Sequence, residues 1–338
     1  MKIALDRRKV VGILFVFALL LLALNIVVSK QTSQRLTKHT GKGLTLSETK
    51  SKLFESLHNV GLEDDWIKLR KNYRKEINLP TYYSVEVPGD LPIPLVIKEI
   101  TNEFTDYNID IVPIEQKFNG TTGIKFYSND KLILFAAFAY NNNIWRNAGY
   151  IGLMVLLPEN ISLTELKSLL DIPEYFTFVL VPSKGASKIK KEIKDHDKDY
   201  AVLINDNIQP MEYSIKSSYP AYRIRNAISA IVGNFDDADF FMIDNNSNIF
   251  ASKNYELIKE GFQKRKIKLF EENSFVDLAN ESESQMESDF DSAIKKTGRS
   301  ESAEIIVSAV DLESLLREIS KFRKVGYKFV YSSSLINQ

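Results

Sequence analysis

The chain has 338 residues, 44 of them basic and 44 acidic, with 44% hydrophobic and 26% charged side chains. Those proportions suit globular protein and give no support to a disordered chain or a nucleic-acid surface. The absence of cysteine excludes disulfides, thiolate nucleophiles, zinc–thiolate sites and iron–sulfur clusters. Imidazole chemistry is restricted to three residues, His39, His58 and His196.

Arg7, Arg8 and Lys9 lead directly into VVGILFVFALLLLALNIVV, Val10 to Val28, an uncharged run in which Asn25 is the one polar side chain. At 1.5 Å per residue it forms about 28 Å of helix, close to the hydrocarbon thickness of a bilayer. Its bulky end at Ile26, Val27 and Val28 lacks the small residues of a signal-peptidase site, which predicts an uncleaved anchor. Lys2 and the three adjoining cations are nearly balanced by Lys30, Arg35, Lys38 and Lys42. The cations packed against the span favour a short cytoplasmic tail, 1–9, and a soluble part outside the inner, cytoplasmic membrane.

Residues 29–46 read as a polar linker, and 47–148 as a small α+β domain. Leu53, Phe54 and Leu57, then Trp66, Ile67 and Leu69, predict one or two amphipathic helices broken near Asn59 to Gly61. A strand–helix–strand–strand–strand pattern follows: YYSVEV, LPIPLVIKEITNEF, IDIVPIE, TGIKFY and KLILFAAFAY. Asn119-Gly120 and Asn129-Asp130 mark its turns.

From 150 to 338, short apolar strands alternate with amphipathic helices: YIGLMVLL, YFTFVLVP, YAVLIND, FFMID, KIKLF, AEIIVSAV and KFVYSSSLI. Alternation of this kind implies an α/β fold with parallel strands and crossover helices. Periodicity alone leaves a doubly wound sheet and a closed barrel both open.

The serial order of IGLMVLLP, FTFVLVPSKGAS, AVLINDNIQPMEY, AISAIVGNF, FFMIDNNSN, KIKLFEEN, AEIIVSAVDLESLL and GYKFVYSSSLI resembles the divergent polysaccharide deacetylases. The resemblance implies a deformed seven-stranded (β/α) barrel and hydrolysis of acetyl groups by a bound metal that activates water. It also implies an acidic pair ending the first strand and histidines at two later strand ends. The matching positions hold Leu156 and Leu157, then Ile231, then Ser308 or Ala309. Aliphatic carbons coordinate no metal, and His196, in the charged stretch KEIKDHDKDY, is the single histidine of this region. The expectation is therefore a noncatalytic member with no metal or other cofactor, binding an envelope polysaccharide or an envelope protein.

Two rival expectations stand beside it. One is an active hydrolase with a relocated carboxylate site, Asp206, Asp236 and Asp244; the other is a structural envelope scaffold. Asp236, Asp237 and Asp239 read as a helix N-terminal cluster, and Glu271 with Glu272 follows another strand. The stretch from Glu271 to Asp291, with eight acidic and no basic residues, reads as a solvated helix or loop. Tyr213, Tyr219 and Tyr222 are candidates for stacking on sugars, and Ser183 or Ser187 for a helix N-cap. The lysine runs at 188–194 and 264–268 form helical faces and no nucleic-acid footprint.

Overall fold

The computed structural model describes residues 42–73, 77–115, 122–279, 282–298 and 301–336. The expected tail, the span Val10–Val28, most of the linker and the turn at Asn119-Gly120 lie outside them. Among the described residues no helix is long and apolar enough to cross a membrane. The chain divides into two compact units, the division falling between Trp145 and Arg146.

The first unit is a mixed sheet with two helices on one face. Its strands are β1 (Ile67–Lys71), β2 (Thr81–Pro88), β3 (Asp110–Glu115), β4 (Thr122–Ser128) and β5 (Lys131–Asn141), in the order β1-β2-β5-β4-β3. Only β2 and β5 run parallel, joined across α2 (Ile93–Glu103). Helix α1 (Leu46–His58) starts at Thr45, whose hydroxyl accepts the Glu48 amide while the Glu48 carboxylate accepts the Thr45 amide. That reciprocal cap satisfies two donors the helix leaves orphaned. Leu53 and Leu57 of α1 and Val96 and Ile100 of α2 pack on Val85, Phe126 and Phe138. Asn129 and Asp130 adopt φ of 49° and 60°, the left-handed pair that a two-residue hairpin turn requires. The second helix expected around Trp66 to Leu69 is instead a 3-10 turn (Asp64–Trp66) leading into β1. Ile67 alone is buried there, so the segment has an edge strand's pattern and no helical stripe.

In the second unit β6 (Gly149–Leu156), β7 (Thr177–Leu180), β8 (Asp199–Ile204), β9 (Phe240–Ile243), β10 (Leu269–Glu271), β11 (Val276–Asp277) and β12 (Ser302–Ser308) are all parallel. Their order, β10-β9-β8-β7-β6-β12-β11, is chain order wrapped round on itself. The return of β12 to the side of β6 curls the sheet into a half-barrel, and a seam stays open where β10 and β11 do not pair. Six helices cover the convex face: α3 (Leu163–Leu170), α4 (Ala186–Asp195), α5 (Ala221–Asn234), α6 (Asn254–Gln263), α7 (Glu283–Lys296) and α8 (Leu312–Val325). On the concave face Met154, Val179, Leu203, Met242, Phe270 and Ile306 pack on one another, with nothing from those six helices.

The segment KFVYSSSLI, expected as the seventh strand, has another place. β13 (Tyr327–Val330) runs beside only Gly149–Gly152, the first half of β6. A short helix, α9 (Ser332–Ile336), follows and carries Ile336 into the concave cluster. The seventh strand of the curl is the two-residue β11, inside the acidic run that reads as loop or helix from its composition.

Candidate functional site

Successive side chains of a strand alternate between its faces. One step beyond the concave layer of Met154, Val179, Leu203, Met242 and Ile306, towards the carboxyl ends, stand Leu156, Val181, Asn205, Asp244 and Ser308. They form the rim of the curl, the place where α/β barrels carry their sites. Leu156 and Ser308 are neighbours in register on β6 and β12, so this side of the rim is short of charge. The other side, at the ends of β9 to β11, is acidic.

Its centre is Glu272, the first residue of a 3-10 turn (Glu272–Ser274) between β10 and β11. Only 8% of this side chain is exposed. Burial pushes its carboxyl up to about 8, with further upward pressure from the charge of Asp244, a hydrogen bond to Asp244 and the charge of Asp277. The backbone amide of Asn245 donates to Glu272 and opposes the rise. Glu272 therefore holds a proton at neutral pH, in a hydrogen bond to Asp244. Asp244 also accepts the Asn246 amide at 2.7 Å, and the Asn245 side-chain oxygen accepts the Asn273 amide at 2.7 Å. These bonds tie the β10–β11 turn to the end of β9. Asn205, 8% exposed, completes the polar side and accepts the Asn207 amide at 3.0 Å.

Of the expected carboxylate set, the structure brings Asp206 and Asp244 to the ends of neighbouring strands and separates Asp236 from both. Asp206 is committed to its loop: it accepts the backbone amides of Asn248 and Ile249. Asp236 is exposed at the opposite end of β9, with Asp237 and Asp239. These three follow the end of α5 and start no helix, which corrects the helix N-terminal reading. Lys190 pairs with Asp237 at 3.1 Å and Lys194 with Asp239 at 2.9 Å, while the Tyr200 hydroxyl donates to Asp237. Burial raises the Asp237 carboxyl, yet the Tyr200 and Lys190 bonds prevail and hold it below its usual range.

Ile231 is buried in α5 on the convex side and belongs to no strand end. His196 is exposed at the end of α4, its ring nitrogen 2.8 Å from the Glu192 carbonyl. Gly185, not Ser183 or Ser187, is the N-cap residue of α4, and it makes no side-chain cap bond. Tyr213 is buried edge-on against Phe235, and Tyr219 lies under the Arg223 guanidinium at 3.8 Å. Tyr222, 69% exposed, alone of the three tyrosines is open to solvent, with Met211 at 79% in the preceding loop. Glu271 and Glu272 part company: Glu271 accepts the Tyr255 hydroxyl of α6 at 2.6 Å, while Glu272 turns to Asp244. Among the described residues no group of three or more histidine or acidic side chains is arranged to hold a metal ion. A hydrolytic metal does not fit the rim positions held by Leu156 and Ser308, and Leu157 lies in the helix-covered core with Leu153 and Val155.

No family model and no curated protein matches the chain. Solved structures do. An uncharacterized protein of Agrobacterium tumefaciens is similar at 14% identity over 56% of this chain and 89% of that one, with a TM-score of 0.38. PdaA of Bacillus subtilis, a family 4 carbohydrate esterase, is similar at 14% identity over 56% and 80%, with a TM-score of 0.35. A family 4 pseudoenzyme of Bacillus anthracis is similar at 12% identity over 71% and 94%, with a TM-score of 0.36. The solved structures to which this chain is similar thus include family 4 carbohydrate esterases, pseudoenzymes among them.

Proposed function

We propose that this chain is a divergent deacetylase-like barrel that binds an envelope glycan at the carboxyl rim of its strands without hydrolysing it, held outside the cytoplasmic membrane by Val10–Val28. The observation that carries the reading is the split rim. Leu156 and Ser308 stand side by side where the family resemblance calls for metal ligands, and the polar groups are Asn205, Asp244, Glu272 and Asp277. Amides and carboxyls of this kind bind sugar hydroxyls, and exposed Tyr222 on the same end supplies a face for a sugar ring.

The test is calorimetric titration of the full chain with acetylated chitooligosaccharides and peptidoglycan fragments. Acetate release is followed in parallel with added Zn²⁺, Co²⁺ or Mn²⁺ and an EDTA control. The reading expects saturable binding, weakened about ten-fold by Asp244→Asn through loss of a charged hydrogen bond, and no metal-dependent acetate. Metal-dependent turnover overturns it.

A further inference from the structure

The Asp244 backbone amide donates to the Ile204 carbonyl at 3.0 Å, which extends the β8–β9 ladder by one step and sets Asn205 beside Asp244 at the ends of neighbouring strands. Asp277, on β11, is in register with Ile306 of the concave cluster, so its carboxylate projects from the same face of the curl. Glu272 lies in the turn before β11, bonded to Asp244, and the charges that act on it are those of Asp244 and Asp277, both negative.

Among the described residues none of these three carboxyls forms an ion pair with a lysine, arginine or histidine. Elsewhere in the unit acids do find cations: Asp237 and Asp239 have Lys190 and Lys194, and Glu174 has Arg323. The want of a cation is thus a property of the rim. With Glu272 protonated, the negative charges of Asp244 and Asp277 remain.

A second observation is independent of charge. Asn205 is only 8% exposed, and its Oδ1 accepts the Asn207 amide, yet among the described residues its Nδ2 donates to nothing. Asn245, next to Asp244, repeats the pattern: its Oδ1 accepts the Asn273 amide, and its buried Nδ2 has no partner. A buried amide left without an acceptor is costly, so these donors call for oxygen acceptors from outside the chain. The carboxylates beside them call for a cation. A sugar that bears a free amine among its hydroxyls supplies both. Acetylation of that amine removes the charge and leaves Asp244 and Asp277 uncompensated.

Resting on the glycan-binding reading of this rim, we propose that its ligand is a de-N-acetylated glycan. The ammonium of a 2-amino sugar meets the carboxylates of Asp244 and Asp277, and its hydroxyl oxygens accept from the amides of Asn205 and Asn245.

The experiment is calorimetric titration of the full chain with two chitooligosaccharides of equal length, one fully N-acetylated and one fully de-N-acetylated. Mildly acidic buffer keeps the amines charged and Glu272 protonated. The de-N-acetylated oligomer is expected to bind about ten-fold more tightly, the difference made by a charge-assisted hydrogen bond. Asp277→Asn lowers that preference several-fold. Asp236→Asn removes the same charge at the opposite end of β9 and leaves the preference unchanged. Asp277 and Asp236 are both exposed, so these replacements leave the fold in place, and thermal melts check this. Saturable binding of both oligomers with no preference for the free amine overturns this proposal and leaves glycan binding standing. Absence of saturable binding of either oligomer overturns both readings. A preference that Asp236→Asn reduces as much as Asp277→Asn is general charge attraction, which overturns the assignment to the rim.

Discussion

Glu272→Gln is expected to stabilise the second unit by an amount that grows as pH rises from about 4.5 to about 8. In the unfolded chain the carboxyl titrates near its model value of 4.5, whereas in the fold it titrates at about 8. Between those values the unfolded chain has released a proton that the folded chain retains, so stability falls as pH rises. The contribution is intact below about pH 4.5 and is lost by about pH 8. At pH 7 the difference spans about 2.5 units at about 1.36 kcal/mol each, on the order of 3 kcal/mol. A glutamine amide can donate to Asp244 and accept from the Asn245 amide as the protonated acid does, with no proton to lose. The variant should match the parent near pH 4.5 and exceed it by roughly 3 kcal/mol at pH 7, or about 6–12 °C in Tm for a unit of this size. Urea titrations at several pH values provide the comparison. A stability difference that does not change with pH, or a variant weaker than its parent at pH 8, refutes the account of a buried, protonated Glu272.

Gly123→Ala would place a Cβ 2.6 Å from the Phe135 ring on the neighbouring strand, at a cost of about 1–3 kcal/mol in the first unit. Phe135→Leu in the same chain should recover part of that loss in urea titration. Gly152→Ala would bring a Cβ to 2.8 Å from the Ser332 hydroxyl and 3.1 Å from its Cα, backbone that cannot turn aside. Release of α9 should follow, detected as faster proteolysis near the C-terminus. Asn245→Ala removes the acceptor of the Asn273 amide, worth about 1–2 kcal/mol, and faster hydrogen exchange should be confined to the segment from β10 to β11.

The parts of this fold that are legible in the sequence are those where burial is symmetrical. β6 to β9 are covered by helices on one face and by one another's side chains on the other. They therefore read as continuous apolar runs such as IGLMVLL and FFMI. β1 and β11 fail that test for opposite reasons. β1 is an edge strand with one buried residue, too little to reveal its period, and β11 is two residues long inside an acidic run. β13 does read as a strand, but its partner is decided by geometry: Gly152 leaves room for Ser332, and α9 then occupies the amino end of the curl.

The site divides along the same line. Where an apolar run ends in a polar residue, alternation extended by one step names Leu156, Asn205, Asp244 and Ser308 as rim positions, and the poverty of histidine limits what they can do. What each carboxylate then does depends on contacts that no run of sequence displays. Asp206 and Asp244 both directly follow or closely follow an apolar strand, yet Asp206 is consumed by two loop amides and Asp244 is left to meet another acid. Glu272 is harder still. Its neighbours in sequence announce a solvated segment, the 3-10 turn interrupts the alternation that would assign it a face, and Asp244 belongs to a different strand. A carboxyl buried against another carboxyl is costly unless one of them keeps a proton, so the same contact that composition conceals is the one that makes the rim responsive to pH.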